Sequence, residues 1–271
     1  MMEKNAYDRL ADECTELRRL NKRLQQLHQQ MDYELQLAQR IQASFLPRRL
    51  PEVPHARFAV HYLPLDRVGG DFYDVFRLDE NHVGLYVADV MGHGVPASLL
   101  TIFVKKGVQT KEVFGHDYRL VPPEEVLGRL NDDLLDQHLS EHPFITMTYA
   151  LYNHRDGVFR FSRAGHPYPL YVPREGEPIF WRQEGLLLGV TKTTFPARSY
   201  PLKPGDKVLL YSDGIDGGCY EDHPPGADSL LAWATSHRPL PLQKFMDGLA
   251  RDLFAAGKQQ DDVTLLGLEV L

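Results

Sequence analysis

The sequence predicts an α+β fold, with antiparallel sheets covered by helices and a long heptad helix in front of them. Three observations predict it. Strand-type runs mostly follow one another, with helical segments grouped between them, which disfavours a doubly wound parallel sheet. Residues 1–46 contain no Gly and no Pro and repeat every seven residues. Four aspartates, Asp71, Asp89, Asp213 and Asp261, each stand where an apolar run meets a glycine-rich or polar turn.

The elements follow in order. Leu10, Leu17, Leu24, Met31, Ala38 and Phe45 form one heptad row, and Leu20, Leu27 and Ile41 a second, interrupted by Glu13 and Glu34. A helix this polar cannot bury its stripe alone, so a partner helix is expected, either a second copy of the chain in a parallel coil or the chain's own domain. Pro47 ends the helix, and Pro51 and Pro54 keep the connection extended. Strands are expected at 57–63, 74–78 and 82–88. A helix with Pro96 in its first turn is expected to run to about Val113, and a second from Pro123 to His138. Runs 144–152, 158–163 and 170–172 read as an antiparallel meander. A strand at 207–212, helices at 226–237 and 240–256, and a closing strand at 263–270 complete the chain. This places a helical dimerisation and regulatory segment at 1–46 and a single globular domain at 47–271.

Composition narrows the function. The 271 residues are 43% hydrophobic and 25% charged, ordinary for a globular domain with an appendage. A net charge of -7 argues against nucleic acid as the partner, since phosphate backbones select basic faces. No apolar run reaches membrane-spanning length, no secretory core opens the chain, and Cys14 and Cys219 are unpatterned. A cytoplasmic protein with no membrane partner is the expectation.

Carboxylates that converge without cationic neighbours repel one another, and hard divalent cations are the usual reason they are tolerated. Without clustered histidines or cysteines, oxygen ligands favour Mg2+ or Mn2+ over zinc. Two such ions about 3.5–4 Å apart can clamp a phosphoryl group and acidify a water, so no side-chain nucleophile is needed. Each residue also has a plainer reading. An Asp before Gly is a common turn residue, His93 is either a proton donor or a turn residue, His166 is a structural hydrogen-bonder, and Asp74 is supporting.

Residues 47–271 resemble the metal-dependent protein phosphatases of the PP2C type, more narrowly their bacterial SpoIIE/RsbU/RsbP branch. The resemblance rests on an ordered set of segments. These are 38–42 through Leu46-Pro47, Gly69-Gly70-Asp71-Phe72-Tyr73-Asp74, Asp89-Val90-Met91-Gly92-His93-Gly94-Val95-Pro96-Ala97, Ala164-Gly165-His166-Pro167, Leu188-Gly189-Val190, Pro204-Gly205-Asp206, Tyr211-Ser212-Asp213-Gly214 and Asp261-Asp262-Val263-Thr264. It implies a four-layer α-β-β-α sandwich of two antiparallel sheets flanked by helices, with two Mn2+ or Mg2+ ions at one end. It further implies that Asp89 bridges both ions and that Val90 lends its carbonyl to one. Asp213 and Asp261 would hold the second ion, and Asp71 the first, partly through water.

Asp89 and Asp71 are thereby the expected catalytic residues, and Gly92, Gly94 and Pro96 shape a regulatory turn. Arg67 is the nearest candidate for the substrate phosphate. The sequence departs from the family at Met91 and at Asp216-Gly217-Gly218-Cys219 with the Pro-rich stretch after it. The expected function is a protein serine/threonine phosphatase acting on a phosphorylated bacterial regulator, an anti-anti-sigma factor of STAS type. It would be a homodimer through the N-terminal helix, with an activating partner at the coil. The alternatives are a non-catalytic dimeric adaptor that keeps the fold and, more weakly, a hydrolase of small phosphoesters.

Overall fold

The computed structural model describes residues 2–215, 227–255, 259 and 261–271. The chain forms two compact units, Met1–Ile41 and Gln42–Leu271. Helix α1 (Met2–Phe45) makes up the first, and its last turn, from Gln42, belongs to the second. Leu17, Leu20, Leu24, Leu27 and Met31 are exposed along it. No helix among the described residues is long and apolar enough to cross a membrane.

The second unit is a four-layer sandwich. One sheet orders its strands β1-β12-β11-β8-β9, with β1 Ala56–Leu63, β8 Leu170–Val172, β9 Ile179–Phe180, β11 Lys207–Tyr211 and β12 Val263–Val270. The other orders them β10-β7-β6-β3-β2, with β2 Asp71–Arg77, β3 His82–Val90, β6 Ile145–Asn153, β7 Val158–Ala164 and β10 Ala197–Pro201. All pairings within both sheets are antiparallel. Helices α2 (Val95–Gly107) and α3 (Pro123–Asp136) cover the second sheet, with Val104, Val126, Leu127 and Leu130 packed on Phe72, Tyr86 and Met147. Helices α4 (Ala227–His237) and α5 (Leu242–Ala255) cover the first, with Leu230, Phe245 and Met246 on Leu170, Leu209 and Leu265.

Period-two alternation places the remaining faces between the sheets. Val75, Leu85, Val87, Phe159, Phe161, Leu210, Leu266 and Leu268 fill that layer. Trp181 stacks on Tyr200 with centroids 4.2 Å apart and on Tyr171 at 5.0 Å, completing an aromatic column with Phe161.

Several sequence expectations are corrected. The helix expected to reach Val113 stops at Gly107, where Val108 turns extended. The residues beyond it form a hairpin instead, β4 (Lys111–Phe114) with β5 (Asp117–Leu120). Arg119 and Arg129 each bridge Glu112 and Glu125, so this hairpin is fastened to α3 by charge as well as by chain. Strand β8 is not the third strand of a meander. The chain turns at Gly165 (φ 63) and crosses to the other sheet, where β8 pairs with β11. Strand β2 begins at Asp71, three residues earlier than expected, so that aspartate opens a strand rather than ending a run. Strand β9, two residues long, is too short to have been read, and β10 (Ala-Arg-Ser-Tyr-Pro) is too polar.

One buried ion pair fixes α2 on its sheet. Lys105 donates to the carboxylate of Asp74, which is 3% exposed in β2. Removing one partner strands the other charge in a site built to desolvate it. Lys105→Met should therefore lower stability by about 2–3 kcal/mol, the partial exposure of Lys105 reducing the cost of a fully buried break. Adding Asp74→Asn should recover part of that loss in a denaturant-melt double-mutant cycle.

Candidate metal centre

Strands β2 and β3 set Asp71 directly opposite Asp89, and β3 and β6 set Asp89 opposite Thr146. Ala88 and Val90 face the helices, so Asp89 between them faces the seam of the sandwich. Asp213 enters from the turn after β11, and Asp261 from the residues just before β12. Asp89, Asp213 and Asp261 line one open pocket of about 660 Å3, together with Val90, Met91, Gly92, Thr146, Arg163 and Leu65. Asp71 lies behind it, 1% exposed.

Two sets of hydrogen bonds reach across the sandwich to hold this end together. Asp71 Oδ2 accepts from Ser212 Oγ and from Thr264 Oγ1, each at 2.6 Å, so residues of the first sheet fix an aspartate of the second. Asp262 accepts from the backbone amides of Leu65 (2.7 Å), Gly70 (2.7 Å) and Asp71 (3.3 Å), locking the turn that precedes β2. Both glycines of that turn are required by space. A Cβ on Gly69 would meet Asp262 Oδ2 at 2.3 Å, and one on Gly70 would meet the Val90 carbonyl at 2.7 Å. Gly92 (φ 88) and Gly94 (φ 77) bend the chain out of β3 and into α2, with Pro96 in that helix's first turn.

The last turn of α1 also touches this turn. Gln42, 4% exposed, donates Nε2 to the Gly69 carbonyl at 2.8 Å and accepts from the Gly69 amide at 3.2 Å. The same Nε2 lies 3.2 Å from Thr101 Oγ1 on α2. One amide thus joins the end of α1, the turn before Asp71 and the helix after Asp89.

The electrostatics are those of a crowded acidic site. Burial, then the charges of Asp71, Asp213, Asp261 and Asp262, hold the Asp89 carboxyl well above the usual carboxylate range. Burial also holds Asp71 up, opposed by its hydrogen bonds from Ser212 and Thr264. Among the described residues, no three acidic, histidine or cysteine side chains already stand close enough to cage an ion. The oxygen-only donor set and the mutual repulsion fit hard divalent cations, which would draw Asp89, Asp213 and Asp261 together. Asp71, one oxygen already committed to two hydroxyls, fits a role at that centre through its other oxygen.

The remaining expectations fall variously. Arg67, half-buried two residues from Leu65, lies outside the described lining, whereas Arg163 is in it. His93 is 85% exposed at the pocket edge, 4.0 Å from Asp66 Oδ2. The departure at Asp216–Pro225 and Cys219 within it lie outside the described residues. Sequence reasoning gave no role to Gln42, Thr146, Ser212, Asp262 or Thr264. Ser212, Asp262 and Thr264 were signalled by adjacency to Asp213 and Asp261.

Fold and site together define a two-sheet sandwich with an acidic pocket at the seam, the architecture of PP2C-type domains. A family model described as Stage II sporulation protein E (SpoIIE) matches residues 79–271, and the chain belongs to that family. It is similar to phosphoserine phosphatase RsbU of Bacillus subtilis (strain 168), 27% identical over 194 residues, covering 71% of this chain and 56% of that protein. Phosphoserine phosphatase RsbP of the same organism is 25% identical over 211 residues, 73% of this chain and 50% of RsbP. The chain therefore spans about half the length of these two relatives. The SiaA-PP2C domain of Pseudomonas aeruginosa superposes with a TM-score of 0.75 at 23% identity, covering 90% of this chain and 98% of that one, a likeness of fold.

The raised carboxyls give a signed pH dependence. In metal-free protein the folded state keeps protons on Asp89 and Asp71 that the unfolded chain releases near pH 4. The folded state binds more protons, so stability falls as pH rises from about 5 through neutrality. Thermal melts in chelator should show Tm dropping across that range, and saturating Mn2+ should flatten the slope. A Tm in chelator that rises with pH contradicts this electrostatic account.

Proposed function

We propose that this chain is a cytoplasmic, metal-dependent protein serine/threonine phosphatase, acting on a phosphorylated bacterial regulatory protein, an anti-anti-sigma factor of STAS type. The observation that carries the reading is the convergence of Asp89, Asp213 and Asp261 on one open pocket, with Asp71 fixed behind it. The names of the relatives RsbU and RsbP, both phosphoserine phosphatases, support the reaction class.

Asp89, the Val90 carbonyl, Asp213 and Asp261 would hold two Mn2+ or Mg2+ ions, with Asp71 contributing partly through water. Bound ions of this kind neutralise phosphoryl oxygens and acidify a water. The chain's own part is to hold the carboxylates in place, orient the water in line with phosphorus, and keep the site stiff. Asp262, Ser212 and Thr264 do the holding through the hydrogen bonds described above. No cysteine or serine nucleophile is called for, and Cys14 is exposed on the N-terminal helix.

The exposed row of Leu17, Leu20, Leu24, Leu27 and Met31 supports a parallel homodimer through α1, open to an activating partner. Gln42 supplies a route from that helix to the pocket, because its amide holds both Gly69 and Thr101.

Two measurements test this. Mn2+-dependent release of phosphate from an aryl phosphate and from a phosphoserine regulator should be present in the wild type. It should fall at least a thousandfold in Asp89→Asn, since a bridging ligand is lost. An adaptor that only keeps the fold would show no metal-dependent release. Gln42→Ala in the full chain should lower turnover about tenfold and weaken Mn2+ binding in calorimetry, while the melting profile stays cooperative. Unchanged turnover and Mn2+ affinity would rule out coupling through Gln42.

A further inference from the structure

Thr146 and His166 form a pair that the metal reading leaves unused. Thr146 sits in β6 directly opposite Asp89, 5% exposed, with its residue in the pocket lining. Its Oγ1 lies 2.8 Å from Nδ1 of His166, whose ring is fully buried. The main chain of His166 is fastened in turn, its carbonyl accepting from Arg163 Nε, while Arg163 Nη1 donates to the Gln183 carbonyl at 3.0 Å. Burial, then the nearby Arg163 charge, pushes the ring's pKa down to about 3, so it is neutral at any working pH.

A neutral imidazole carries one N–H and one lone pair, and the neighbours decide which nitrogen has which. Nε2 makes no hydrogen bond of good geometry as the ring stands, but the Tyr211 carbonyl is the backbone acceptor beside the ring. A carbonyl can only accept, whereas a threonine hydroxyl can donate or accept. The single N–H therefore belongs on Nε2, toward Tyr211, and Nδ1 offers its lone pair to Thr146. The Thr146 proton is then spent on the imidazole. What its oxygen presents to the pocket, beside Asp89, is acceptor capacity only.

We propose that Thr146, held as a hydrogen-bond acceptor by His166, is the positioning residue for the water that attacks phosphorus. An acceptor there takes a hydrogen bond from that water and turns its lone pair toward the substrate. A donor at the same place would compete for Asp89. The inference rests on the phosphatase reading above and adds to it a role for a strand residue and for the histidine of the Ala164–Pro167 segment.

Three variants and one spectrum test it. Thr146→Val keeps the shape and removes the hydroxyl. It should lower kcat about tenfold to a hundredfold, the scale of a misoriented reactant. KM and the Mn2+ affinity measured by calorimetry should stay within about twofold. Thr146→Ser should restore most of kcat. In 15N-labelled wild-type protein, the His166 ring should show an unprotonated Nδ1 and a protonated Nε2, with or without Mn2+.

A protonated Nδ1, or a Thr146→Val enzyme with wild-type kcat, overturns the proposal. A Thr146→Val loss that appears in Mn2+ affinity instead of kcat overturns it too, since that assigns Thr146 to the metal cage. The Asp89→Asn control separates the two levels. If wild type and Asp89→Asn are equally inactive, the functional reading falls and the proposal with it. If wild type is active and Asp89→Asn is not, the Thr146 results speak to this inference alone.

Discussion

Bringing several carboxylates to one end of a sandwich costs energy, and the rest of the structure follows from how that cost is met. Repulsion alone would push Asp71, Asp89, Asp213 and Asp261 apart, along with the two sheets that carry them. The counterweight is a set of hydrogen bonds that cross the seam. Ser212 and Thr264 hold Asp71 from the opposite sheet. Asp262, itself acidic, accepts hydrogen bonds from three backbone amides. The bonds that Asp71 accepts, and those from Gly70 and Asp71 to Asp262, are buried, where hydrogen bonds are electrostatically stronger than in water. Metal would then be a second layer of compensation, added to a site whose backbone is already fixed.

The same seam ties Gln42 to the turn at the pocket. The turn before Asp71 has no slack, because side chains at Gly69 or Gly70 would strike Asp262 or the Val90 carbonyl. A small shift of Gln42 is therefore passed to Asp71 on one side and, through Thr101, to α2 on the other. Helix α2 is also tied to β2 by Lys105 and Asp74, one helical turn beyond Thr101. Two polar contacts on one helix face give that helix a defined seat, where apolar packing alone would tolerate sliding. Between the sheets the stack of Tyr171, Trp181 and Tyr200 leaves little freedom for them to shear.

Much of this was legible in the sequence, and the limits of legibility have physical causes. Glycine-rich turns flanking aspartates could be read because both the turn chemistry and the charge are local. The sandwich core could be read from short apolar runs such as Val208 to Tyr211 and Val263 to Leu268. The end of α2 could not, since Val108 to Phe114 carry strand-type residues in a stretch that also fits a helical spacing. The crossing of the chain to the other sheet after Gly165 could not either. Nothing local distinguishes a hairpin partner from a strand that joins the opposite layer. The roles of Gln42 and Thr146 depend on partners 27 and 20 residues away, which periodicity does not encode.

Proton placement is the step that sequence leaves most open, and it matters most at the pocket. A buried histidine is often only a satisfied core residue, and the plain reading of His166 as a structural hydrogen-bonder stands as far as it goes. But structure at this position is not neutral with respect to chemistry. A ring that must give its one proton to the Tyr211 side forces the hydroxyl of Thr146 to point its own proton away from the acidic pocket. The hydroxyl set opposite Asp89 on β6 then accepts. In a site already short of positive charge, that arrangement leaves the proton-donating role to water, the species whose proton the proposed reaction has to remove.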